Sequence, residues 1–95
     1  MINQVLDHFG KEMKIEAFHP GEFLLEELEE RLLAKKDVAI ALGISPSHLN
    51  EIFMGKRNIS AKTALKIEQL LNINADYWLS MQMEYDLYVD RSGFI

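Results

Sequence analysis

Three histidines, His8, His19 and His48, are the side chains here whose ordinary pKa lies nearest neutrality, and cysteine is absent. The histidines fall on different segments without metal-ligand spacing. There is no Gly-rich phosphate loop, and no nucleophile stands beside a base. Catalysis and metal binding therefore have no constellation to carry them, and no cofactor is expected. What remains is the chemistry of charge. Residues 1–30 carry a net −6, residues 31–66 a net +5 and residues 67–95 a net −4, within an overall −5. In the middle third Lys35, Lys36, Lys56 and Arg57 cluster around an apolar stretch, opposed only by Asp37 and Glu51. A basic island between acidic flanks is the footprint of phosphate binding, although any one of these lysines, taken singly, fits a solubilising surface charge equally well.

The elements that must position these charges read as helices throughout. Ninety-five residues support one modest core. No segment has the cationic-then-apolar pattern of a secretory signal or the apolar length of a membrane span. The absence of cysteine fits a reducing compartment, so a soluble cytoplasmic domain is expected. Ile2, Val5, Leu6 and Phe9 are spaced for a short amphipathic helix or a loosely packed arm, ended by Gly10. "HPGE" at 19–22 starts a helix, with Pro in the first turn and Glu22 near the positive dipole end. Phe23, Leu24, Leu25, Leu28 and Leu32 then form its apolar stripe, with a solvated glutamate face opposite. A second helix spans 35–42 and stops at Gly43. Ser45 and Pro46 open a third, over 46–54, stopped by Gly55. Ser60 caps a fourth, buried through Ala64, Leu65, Ile67, Leu70 and Leu71, and Asn74 caps a fifth. No alternating strand pattern or repeat occurs.

The stretch "VAIALGISPSHLNEIFMGKRNIS" has the steric requirements of two short helices crossing steeply. Ala39 is the tiny residue at the crossing, and Gly43 permits the turn four residues later. Leu49 and Ile52 anchor the second helix, while Val38, Leu42 and Ile44 fill the interior. Together with the caps and the basic flanks, these slots define a helix–turn–helix unit.

"HPGEFLLEEL", "VAIALGIS", "GKRNISAKTALKIEQLL" and "ADYWLSMQMEYDL" together resemble the HigA-type antitoxins. These form a branch of the phage-repressor-like (XRE/Cro) helix–turn–helix family, and the resemblance covers about residues 19–90. It implies an all-α, five-helix, lambda-repressor-like domain with a C-terminal dimerisation helix, preceded by an extension over 1–18 and followed by a tail over 91–95. It also implies a homodimer that binds a palindromic double-stranded DNA operator, represses its own operon and neutralises a HigB (RelE-like) mRNA-cleaving toxin. On this resemblance the third helix is the recognition helix, and Ser45, Pro46, Ser47, Asn50 and Glu51 enter the major groove. Ser47 and Asn50 can pair with base edges, and Glu51 can accept from a cytosine amino group. His48 either reaches a phosphate or lies against the scaffold. Lys35, Lys36, Lys56 and Arg57 fall where phosphate contacts occur, and Asn58 adds a neutral one. The sequence departs from the family's pattern at Ala34–Lys35, where a Ser/Thr–Gln pair is common, and at Pro46, which removes a donor.

The last helix carries more apolar surface than one small domain needs. Trp78, Met81, Gln82, Tyr85 and Tyr88 are assigned to dimerisation, with Leu79, Met83 and Leu87 on another side. For Trp78 and Leu79 the alternative is simple closure of the core. Two other readings stay open. One is a stand-alone regulator of the same fold without a toxin. The other is a protein-interaction module that has lost operator reading, which Pro46, Glu51 and the acidic balance favour and the basic island opposes.

Overall fold

The computed structural model describes residues 17–92, so the expected helix or arm at 2–9 lies outside the described residues. Five helices follow in order: α1 (Pro20–Glu30), α2 (Lys35–Leu42), α3 (Pro46–Phe53), α4 (Ala61–Leu71) and α5 (Ala75–Ser92). Among the described residues there is no strand. Local chemistry sets most of the boundaries. The Ser45 Oγ accepts from the His48 N–H at 3.0 Å, and the Ser60 Oγ accepts from the Thr63 N–H at 3.2 Å. The Asn74 Oδ1 accepts from the Asp76 N–H at 2.8 Å at the start of α5. Each bond satisfies an amide that the helix itself leaves without a partner.

The motif "HPGE" does more than start a helix. His19 is the N-cap, its Nδ1 accepting from the Gly21 N–H at 2.9 Å, and Pro20 follows in the first turn. A Cβ at Gly21 would collide with the Ile52 carbonyl oxygen, so glycine lets the start of α1 lie directly on the end of α3. α1 then packs on α3 and α5, α2 on α3 and α4, and α4 on α5. One core results, built from Leu24 and Leu28 of α1, Val38, Ala39 and Leu42 of α2, and Leu49, Ile52 and Phe53 of α3. Ala64, Ile67 and Leu71 of α4 and Trp78 of α5 close it. Burying each leucine or isoleucine contributes about 1.5–3 kcal/mol, and this burial holds the short α2 and α3 in place.

Two expected core positions are different. Leu32 is not part of the α1 stripe: the helix ends at Glu30 and Leu32 is 90% exposed at φ 57°. The Leu33 N–H returns to the Leu28 carbonyl at 2.9 Å, which is the closing bond of a left-handed helix stop. A leucine occupies the position glycine usually takes, at a cost of about 1–2 kcal/mol. Leu65 of α4 faces solvent, and Thr63 is buried in its stead. α3 ends at Phe53, one residue short of the expected end, with Met54 as its cap and Gly55 left-handed at φ 74°.

Candidate nucleic-acid interface

The turn between α2 and α3 is built as the sequence requires. Ala39 is buried at the crossing, and Gly43 takes φ 70°. The Ile44 N–H returns to the Ala39 carbonyl at 3.0 Å, and Leu49 and Ile52 are buried beneath α3. With its inner side sealed, α3 presents the opposite side to solvent. Pro46, Ser47 and Asn50 are exposed there, and His48 is half-buried. The Ser45 hydroxyl is exposed but already serves as the helix cap.

Exposed cations gather near the C-terminal end of this face. Lys35 and Lys36 are exposed in the first turn of α2. The Lys35 Nζ sits 5.6 Å from the centre of the Phe53 ring, which brings it to the end of α3, three residues from Lys56. After Gly55 the Lys56 N–H bonds to the Glu51 carbonyl at 2.8 Å, so the chain folds back over the end of α3. Lys56 is exposed and makes no ion pair among the described residues. Arg57 does make one: its Nε donates to the Glu51 Oε1 at 2.8 Å. Two residues expected to face DNA separately are thus joined to each other. Asn58 is exposed, but its Oδ1 accepts from the Gln82 Nε2 at 3.0 Å, which ties it to α5.

Sequence reasoning missed one participant and gave another a different role. Met54 is exposed one turn beyond Asn50, and its sulfur accepts from the Asn50 Nδ2 at 3.4 Å, a weak contact across the outer face. The i, i+4 spacing was the available signal. Gln82, expected at a dimer contact, is the other. Its Oε1 accepts from the Ile59 N–H at 2.8 Å, and its Nε2 donates to Asn58 and to the Asp86 Oδ1 at 3.0 Å.

That network corrects the reading of α5. Gln82 is 6% exposed and Trp78 1%, so neither offers surface to a second protomer. Trp78 closes the core, and Gln82 satisfies a buried backbone donor. Met81 and Tyr85 are half-buried, the Tyr85 ring standing edge-on to His19 at 4.9 Å, while Tyr88 is exposed. Tyr77, Met83, Leu87 and Val89 are exposed with it, leaving an apolar outer surface on α5. No helix among the described residues is long and apolar enough to cross a membrane. Those residues also hold no cluster of metal ligands.

A sealed helix–turn–helix with its second helix turned outward beside exposed cations defines a DNA-binding regulator. Residues 24–78 match the helix-turn-helix family HTH_3, and the chain belongs to this XRE-type family. Virulence-associated protein I of Dichelobacter nodosus is 46% identical over 72 residues, covering 75% of this chain and 67% of that one. The chain spans about two thirds of the length of the curated relatives it matches. Among solved structures, the Pseudomonas aeruginosa antitoxin HigA with the higBA promoter superposes with a TM-score of 0.76. It is 32% identical, over 82% of this chain and 86% of that one. An addiction module antidote protein of the HigA family from Coxiella burnetii gives a TM-score of 0.74 at 32% identity, over 83% and 89% of the two chains.

Proposed function

We propose that this protein is a homodimeric autorepressor that binds a palindromic operator before its own gene and serves as the antitoxin of a type II toxin–antitoxin pair. The observation that carries the reading is the outward face of α3 accompanied by exposed Lys35, Lys36 and Lys56, with no acid among the described residues paired to any of the three. Likeness to HigA-family antitoxins, one of them solved with its promoter, supports it. Phosphate contacts from these cations orient the protein, and Ser47 and Asn50 reach base edges. A two-fold dimer through the outer surface of α5 would place two such helices about 34 Å apart, one DNA turn. The exposed carboxylates of Glu22, Glu26, Glu29 and Glu30 on α1 suit a basic partner such as an mRNA-cleaving toxin, and they stand on a different element from the reading helix. Acting on DNA in this way, the protein works in the cytoplasm.

The test is fluorescence anisotropy with DNA from directly upstream of the gene and a scrambled duplex, each at two salt concentrations. Three free cations per protomer give six phosphate contacts per dimer, so affinity should fall by about 10³ between 50 and 200 mM salt. Lys56→Ala should weaken binding to all duplexes alike and flatten the salt slope by about one per protomer. Equal binding to the scrambled duplex would reduce the protein to a helix–turn–helix module without operator reading. Co-expression with any short basic open reading frame beside the gene tests the antitoxin half, with growth rescue as the expected result.

A further inference from the structure

The Glu51–Arg57 pair sits where neither partner is needed by the fold. Glu51 lies in the last turn of α3, and Arg57 returns to it only because Gly55 is left-handed and the Lys56 N–H closes on the Glu51 carbonyl. Both side chains remain open to solvent, 43% for Glu51 and 52% for Arg57. A pair so exposed contributes little to stability. Its bonding is also incomplete: one carboxylate oxygen and the guanidinium's Nε are used, while Oε2 and both terminal nitrogens have no hydrogen-bond partner among the described residues. An acceptor and a fork of donors therefore stand side by side on the rim of the reading face.

We infer that Glu51 and Arg57 act as a single reader of one C·G base pair. The major-groove edge of that pair shows the amino group of cytosine beside the O6 and N7 acceptors of guanine. The free carboxylate oxygen matches the amino donor, and the free guanidinium nitrogens match the two acceptors. Neither residue alone has this complementarity. An unpaired carboxylate would also be repelled by the flanking phosphates, whereas one neutralised by Arg57 approaches the groove without that penalty. Arg57 is then a base-reading residue and not the phosphate contact that its position beside Lys56 suggests.

The inference rests on α3 being the groove-reading helix, and the experiment separates the two claims. The wild type, Glu51→Ala, Arg57→Lys and the double variant are titrated against the upstream operator and a panel in which each base pair of the half-site is changed in turn. Thermal melts followed by circular dichroism confirm that all four proteins fold. Arg57→Lys is decisive because lysine keeps the charge that a phosphate needs and loses the planar fork. Glu51→Ala and Arg57→Lys should each relax preference at the same C·G position by about tenfold, in line with the usual cost of one mismatch. The double variant should relax it no further. Binding by Arg57→Lys that matches wild type at every position would return Arg57 to the phosphates and overturn the pair as a reader. Relaxation at two different positions would overturn its action as a unit. A wild type indifferent to the operator would instead remove the operator-binding reading, and this inference with it.

Discussion

His19 joins three parts of the molecule through one ring. Its Nδ1 accepts the Gly21 N–H, its edge meets Tyr85, and its side chain lies against Gly55, whose added Cβ would stand 3.7 Å away. With Nδ1 as acceptor, the neutral ring carries its proton on Nε2, which is buried without a hydrogen-bond partner. Burial pushes the pKa below its ordinary 6.5, opposed by nearby Asn58 and by the carboxylates of Asp86 and Glu22. Protonation would place a second N–H at Nδ1, facing the Gly21 donor, and would break the cap. Because the folded pKa is depressed, the stabilising contribution is complete above pH 6.5 and is lost as pH falls from there through the folded value. Melting temperature should therefore drop between pH 7 and 5.5 in the wild type and drop less in His19→Asn, which keeps a capping oxygen. Equal losses in the two proteins would clear His19 of the effect. "HPGE" announced a helix start through its proline and glutamate. The histidine's part was not legible, since capping by an imidazole depends on a ring orientation that only the packed structure sets.

At the scale of elements, legibility followed the punctuation. Gly43, Ser45–Pro46, Gly55 and Ser60 each mark a boundary by backbone chemistry that acts within a few residues, and the starts and stops they imply fall within one residue of those in the structure. The end of α1 carried no such mark, because the left-handed position there holds Leu32 and not a glycine. Periodicity likewise put Trp78 and Tyr85 on one stripe of α5 without showing that the core claims Trp78 fully and Tyr85 only in part. The contact between α1 and α3 is the least forgiving element junction. Gly21→Ala sets a methyl group against a backbone carbonyl that cannot rotate away, so the helices must separate. Urea denaturation should show a loss of about 1–3 kcal/mol, the usual cost of overpacking. A change within about half a kcal/mol would mean that the junction yields freely.

For the whole molecule, the proposed dimer rests on the outer surface of α5. Leu87→Glu with Tyr88→Glu, both exposed, should leave helix content intact and shift the protein to monomer in light scattering behind size exclusion. Operator affinity should then fall by 10² or more, because two linked contacts become one. Retention of the dimer would move the interface elsewhere. The sequence showed that α5 was too apolar for its own core but could not assign the surplus residue by residue, since that depends on where α4 and His19 already cover it. The division of α3 into a buried and an open side has a further consequence, for descent. Leu49, Ile52 and Phe53 anchor the helix, while Ser47 and Asn50 touch nothing in the core. Substitutions at the open positions should cost within about 0.5 kcal/mol of stability. If these positions read base edges as proposed, a duplicated copy of this gene can drift to a new target one base pair at a time, passing through folded intermediates at every step.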